Sequence, residues 1–190
     1  LVTAIATFEN YIVTGSADKT LKVWDFKTTN LLKTLAKHSN SISDVAIFKG
    51  MYIVSASADK TLKIWNMKTW ECEKTLSGHI DHVLGVAVSK NKDIIVSAGR
   101  DRVLKVWNSN TGKCVWTLTG HEHGVNKVLI TDDDSMIVSV SHDETIKIWA
   151  CVWVWCYKNK RVLMTGTCIQ TLFGHSDNLS GVAITKDAST

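Results

Sequence analysis

Proline is absent from all 190 residues. No segment is therefore barred from a sheet interior by a missing backbone donor. Long apolar runs are absent too: none approaches the roughly 20 residues that a helix needs to span a bilayer, so no membrane partner is expected. Charge of one sign is scarce. Lys and Arg number 22 against 18 Asp and Glu, and the net +4 is spread evenly, which makes nucleic acid an unfavoured partner. Phosphate-cradling loops are missing, with neither G-x-G-x-x-G nor a P-loop lysine motif, and no cofactor is expected. The five cysteines are odd in number and form no paired framework. That fits a reducing, intracellular setting, cytoplasmic or nuclear. Leu1 already reads as strand, so the chain is expected to be a fragment, and the lack of a leader segment carries no weight.

What is present is repetition. Trp24, Trp65, Trp107 and Trp149 are separated by 41, 42 and 42 residues. Each sits near the end of one phrase: IVTGSADKTLKVWD, IVSASADKTLKIWN, IVSAGRDRVLKVWN, IVSVSHDETIKIWA. A second marker follows the same beat at His38, His79, His121 and His175, with steps of 41, 42 and 54. A period of about 40–45 residues ending in Trp predicts a β-propeller blade. Within each unit the pattern gives four short strands: an alternating run such as SISDVAIF, an IVSA-type run, a TLKIW-type run and a KTL-type run before His. The S-x-D-K-T stretch between the second and third reads as a tight turn held by Asx-type hydrogen bonds. The expected blades are 1–37, 38–78, 79–120 and 121–174, with an insert at 150–161 and a partial fifth blade over 175–190 that opens with the strand LSGVAIT. Cys72, Cys114 and Cys168 share one repeat position. They lie too far apart to bond to each other and read as small buried apolar side chains.

The recurring GH, S/T-x-x-x-D and W-D/N elements resemble the WD40 repeat family over nearly the whole chain except the insert. The resemblance implies an all-β propeller fragment of four four-stranded antiparallel blades plus the first strand of a fifth, part of a ring that usually closes with seven. It also implies a hydrogen-bonded tetrad in each blade: a His before the first strand, a Ser or Thr on the second, an Asp in the turn and a Trp on the third. These fall on His38, Ser55, Asp59 and Trp65; on His79, Ser97, Asp101 and Trp107; and on His121, Ser139, Asp143 and Trp149. The first unit offers Thr14, Asp18 and Trp24 without a His, and the fifth only His175. The WD dipeptide survives once, as Trp24-Asp25. Ala150 departs from the pattern beside the insert.

The residue chemistry agrees independently. A buried carboxylate needs partners, and an imidazole N–H, a hydroxyl and an indole N–H can form a chain that ends on it. Ser, His and Asp also suggest a hydrolase. A triad, however, needs one exposed nucleophile beside one oxyanion hole, whereas here the set recurs in register three times. No enzyme activity is expected.

The insert ACVWVWCYKNKR over 150–161 accounts for the longer last step, since removing its 12 residues restores the 14-residue distance from Trp to His. It reads either as an extended hairpin offering aromatics to a partner or as non-coding sequence carried in by a faulty gene model. Cys151, Cys156, Cys168 and His175 do not make a convincing zinc set, because the cysteine spacing is loose and no second pair follows.

The rims remain for function. In the family, partners often dock where the loop before the first strand meets the turn before the tetrad Asp. Those positions hold Ala17, Ala58, Arg100 and His142, and Ser41, Ser43, His82, Leu84, Asn126, Asn178 and Ser180. Of these, His82, Arg100, Asn126 and His142 are the candidate partner contacts. The expected function is a non-catalytic protein-protein interaction scaffold binding other proteins or peptides. The alternative is a regulatory or sensor module of a larger protein that carries an NTPase or other enzymatic domain. Exposed blade faces at the ends lead to a further expectation, self-association of the fragment.

Overall fold

Alternating β-branched residues bounded by Gly, Asn, Asp and Ser turns form 16 strands and, among the described residues, no helix. The computed structural model describes residues 1–156 and 161–183. The first sheet is β1 (Val2–Phe8), β2 (Tyr11–Ser16), β3 (Leu21–Asp25) and β4 (Leu31–Leu35). The second is β5 (Ile42–Phe48), β6 (Tyr52–Ser57), β7 (Thr61–Asn66) and β8 (Cys72–Ser77). The third is β9 (Val83–Val88), β10 (Ile94–Gly99), β11 (Leu104–Asn108) and β12 (Cys114–Leu118). The fourth is β13 (Val125–Ile130), β14 (Met136–Ser141), β15 (Ile146–Cys156) and β16 (Arg161–Leu172). All four are antiparallel meanders in chain order, the topology that short hairpin links allow.

Each sheet breaks register at two equivalent places. One lies near the start of the first strand, at Val2/Ala4, Ile42/Asp44, Gly99 opposite Val83, and Val125/Lys127. The other falls at the tryptophan, at Val23/Trp24, Ile64/Trp65, Val106/Trp107 and Ile148/Trp149. A bulge bends the strand and re-aims a side chain, here the indole.

The core lies between sheets. Val13, Leu21, Val23 and Leu35 of the first sheet pack with Ile42, Val45, Ile53 and Trp65 of the second. Trp107 joins the cluster of the second and third sheets, and Trp149 that of the third and fourth. These three indoles are 1% exposed, whereas Trp24 of the first sheet is half-buried. Burial of an aromatic this size dominates the local energetics, and each interface therefore depends on the following sheet's tryptophan.

Two expectations change, and the insert takes one of the two forms considered for it. Leu179–Ala183, the described part of the expected fifth-blade strand, forms no strand, since no other described strand pairs with it. Its start is nonetheless placed like the others: Asn126 Nδ2 donates to Leu179 O at 2.5 Å, as Thr3 Oγ1 donates to Ile42 O at 2.5 Å. Cys114 and Cys168 are exposed and Cys72 half-buried rather than buried. They stand on the outermost strand of each sheet, where one side faces solvent, and each thiol turns back to the carbonyl two residues on. The insert lengthens an existing hairpin: β15 and β16 stay in register from Cys151↔Gly166 to Cys156↔Arg161. Its remaining residues, 157–160, lie outside the described residues.

Candidate functional site: buried tetrads and the turn face above them

The second sheet shows how the tetrad is built. Trp65 Nε1 donates to Ser55 Oγ at 2.9 Å, and Ser55 Oγ lies 2.7 Å from His38 Nε2. His38 Nδ1 lies 2.7 Å from Asp59 Oδ2, which also accepts from the Ser39 N–H at 3.0 Å. An indole N–H can only donate, so the serine proton goes to Nε2 and the neutral imidazole keeps its proton on Nδ1. A single relay then satisfies every member.

The relay recurs. His79 Nε2 is 2.7 Å from Ser97 Oγ, which accepts from Trp107 Nε1 at 2.8 Å. His121 Nε2 is 2.8 Å from Ser139 Oγ, which accepts from Trp149 Nε1 at 2.9 Å, and its Nδ1 is 2.7 Å from Asp143 Oδ2. In the third sheet both oxygens of Asp101 approach His79 Nδ1, at 2.9 and 2.8 Å. Space for that rotation exists because Gly99 stands where the other sheets have serine; a Cβ there would overlap Asp101 Oδ1 and His79 Nδ1. In the first sheet Trp24 Nε1 donates to Thr14 Oγ1 at 3.0 Å, while Asp18 Oδ1 binds only its own turn through Thr20.

A second serine, two residues after the tetrad serine, caps the turn. Ser57 Oγ accepts from the Asp59 N–H at 3.1 Å, and Asp59 Oδ1 accepts from Thr61 N and Oγ1 at 3.0 and 2.6 Å. Burial would raise the Asp59 carboxyl, but bonds from Thr61, His38 and the Ser39 backbone hold it below the ordinary value. Asp101 and Asp143 are lowered against burial in the same way. Burial pushes the His38 and His121 imidazoles down, further than their aspartates lift them. The rings are therefore neutral at pH 7, as the relay requires. Ser55, Ser97 and Ser139 have 0% exposure, so none can meet a substrate. Cys151 is also buried, and burial pushes its thiol up to about 12, which keeps it from nucleophilic chemistry.

The four candidate contacts do not share one fate. Arg100 and His142 are exposed on the turns of adjacent sheets. The Arg100 N–H donates to His82 O at 2.8 Å and the His142 N–H to Gly124 O at 3.0 Å. Gly124 joins the two turns, since a Cβ there would stand 3.3 Å from Arg100 Cα. His82 is half-buried beside them. Asn126 departs from the expectation: its amide is committed to Leu179 O inside the row of first strands and is not a free surface donor.

Sequence reading missed the links between sheets. Lys127 Nζ reaches past Gly85 to Asp44 Oδ1 at 2.7 Å, and Asp44 Oδ2 accepts from the Val86 N–H at 2.9 Å. Gly85 is needed there, because a Cβ would stand 3.0 Å from Asn126 O. On the opposite rim Lys49 pairs with Asp93, and Lys90 with Asp132 at 2.6 Å. The signal lay in a single column of the repeat, where Asp44, Gly85 and Lys127 occupy equivalent positions with complementary charge and a gap between. Among the described residues no group of three or more His, Cys, Asp or Glu is placed to hold a metal.

The family model described as WD domain, G-beta repeat matches residues 2–25, 29–66, 70–108 and 112–150. The chain belongs to the WD40 repeat family. Each matched unit from the second onward takes in the outer strand of one sheet and three strands of the next: 29–66 holds β4 with β5, β6 and β7. Domains of this family are typically scaffolds for protein interactions. No curated protein matches the chain.

Proposed function

We propose that the chain is a non-catalytic scaffold that binds an acidic segment of a partner protein on the face carrying Arg100, His82 and His142. The observation that carries this reading is the junction at Gly124, which brings Arg100 and His142 from adjacent sheets onto one surface. A guanidinium pairs bidentately with carboxylates, and the neighbouring imidazoles add donors. The tetrads support the non-catalytic part, since their hydroxyls are buried and already bonded. Free thiols at Cys72, Cys114, Cys151 and Cys168 favour a reducing, intracellular setting.

The test is a panel of Asp- and Glu-rich peptides measured by fluorescence anisotropy against the wild type and Arg100→Glu. Loss of one such contact and its replacement by repulsion weakens binding by about tenfold or more. Equal affinity of the two proteins for every bound peptide would remove this face from the reading.

A further inference from the structure

The fourth sheet carries an arm that the other three lack. β15 has 11 residues and β16 has 12, against five or six in the third and fourth strands of the other sheets. β14 accompanies β15 only as far as Ala150, opposite Met136, and the last link between them is the Cys151 N–H donating to Ser135 O at 2.8 Å. There the chain has turned away toward β13, with the Asp134 N–H donating to Thr131 O at 2.8 Å. From Val152 to Cys156, β15 pairs with β16 alone among the described residues. This stretch is a two-stranded ribbon about 17 Å long, and such a ribbon is marginal in water until a third strand joins it.

The backbone fixes which groups the arm leaves unpaired. Successive residues of an antiparallel strand send their N–H and C=O to opposite sides. Cys151 donates toward β14, and the register with β16 runs unbroken from Cys151↔Gly166 to Cys156↔Arg161. Trp153 and Trp155 therefore present N–H and C=O on the side that β14 has left, while Val152, Val154 and Cys156 bond toward β16. Native sheets blunt a free edge with charge, proline, a bulge or brevity. Lys33 lies in β4, and Glu73 and Lys74 lie in β8. β15 has no charged residue after Lys147 and no proline, and its register shift at Ile148/Trp149 comes before the arm begins.

We infer that this edge of β15 pairs with the same edge of a second copy of this chain, antiparallel about a two-fold axis opposite Val154. The identical strand fits the free stretch end to end. Val152 falls opposite Cys156 of the second copy and Trp153 opposite Trp155, so every chain that offers the edge also supplies its complement. Trp153 and Trp155 of the second copy exchange both N–H···O=C bonds, and the axis repeats the exchange. The even register keeps the faces in step: Trp153 and Trp155 continue one face of the ribbon, and Val152, Val154 and Cys156 the other. Aromatic and β-branched residues are favourable cross-strand pairs. The joined ribbon runs β16-β15-β15-β16, and the opposed strand directions set the two bodies at its opposite ends. The contact is isologous, so it closes at the dimer.

Sedimentation equilibrium of the 190-residue chain across a range of concentrations tests this. Wild type passes from monomer to dimer as concentration rises. Val154 falls opposite its own copy in a pair without mutual backbone bonds, where Cα atoms approach to about 4.5 Å. Val154→Lys and Val154→Glu each set like charges there and weaken dimerisation by about tenfold or more. Their equimolar mixture sets opposite charges there, and it recovers dimer at a concentration where each variant alone is monomeric. Trp155→Pro removes an edge donor, spares the bonds to β16 and also weakens dimerisation. The arm lies beyond the four-stranded part of its sheet, so the circular dichroism and thermal midpoint of each variant monomer match those of the wild-type monomer. Variants that dimerise as tightly as wild type, or a mixture without recovered dimer, would overturn the inference. So would a wild type that stays monomeric, which would leave the edge to a strand of another protein. None of these outcomes depends on Arg100 or the acidic-peptide face.

Discussion

Ser55 Oγ accepts from an indole and lies within hydrogen-bond distance of an imidazole with 0% exposure, so the neighbouring groups depend on one another for partners. The His38 and Asp59 side chains are 0% and 6% exposed. Replacing Asp59 by Ala leaves the imidazole donor and the Ser39 N–H without their acceptor, and loss of one member of a buried pair costs roughly 3–5 kcal/mol. We expect Asp59→Ala to lower the denaturant midpoint by a correspondingly large step, and Asp18→Ala, which has no imidazole to strand, to move it little. Equal effects at the two sites would refute the relay as a stabilising device. The tetrad positions were named from the resemblance to the WD40 family, whose motif residues stand in register in each repeat. The bidentate Asp101 was not legible in the sequence, although Gly99 in place of serine was its visible cause. Nor was the inward amide of Asn126, because its acceptor is a backbone carbonyl 53 residues away.

Turns repeat as faithfully as strands. Lys19, Lys60, Arg102 and Glu144 all follow the turn Asp with φ between 65° and 71°, a left-handed conformation that costs a non-glycine residue about 1–2 kcal/mol. The link to the outer strand has the same feature at Thr29, Trp70 and Gly112, with φ of 59°, 63° and 71°. Of these three links only the third has glycine, and a β-branched residue such as Thr29 is the worst suited. Thr29→Gly removes that strain while giving the unfolded chain more freedom, so a net gain of about 0.5–1 kcal/mol is expected in thermal unfolding; a loss would mean that the Thr29 side chain contributes more than its backbone costs. The four strands of each sheet and the turns between them could be read from period-2 alternation and turn residues, whereas the strand expected from Leu179 does not form over Leu179–Ala183. The exposed Cys114 and Cys168 could not be read, because alternation identifies the two faces of a strand but not which strand lies outermost.

Across the whole molecule, two buried neutral imidazoles and three hydrogen-bonded turn aspartates give stability a defined dependence on acidity. His38 and His121 are held below the ordinary 6.5 by burial, and Asp59, Asp101 and Asp143 below 3.8 by their hydrogen bonds. In both cases the unfolded chain binds protons that the folded one refuses, so stability rises with pH through each window. On acidification, the thermal midpoint should fall as pH drops through 6.5 and fall again below 3.8. A midpoint that stays flat through the first window would contradict neutral buried imidazoles. Sheet-to-sheet ion pairs such as Lys127–Asp44 escaped prediction because a repeat encodes what lies within one unit, whereas these contacts depend on how neighbouring columns combine. The one-strand offset between the matched units and the sheets carries a last consequence. Recombination at unit borders changes copy number in whole steps and leaves every internal sheet complete, since an incoming unit brings the outer edge its predecessor lacks. An array altered in whole units therefore keeps its internal sheets four-stranded.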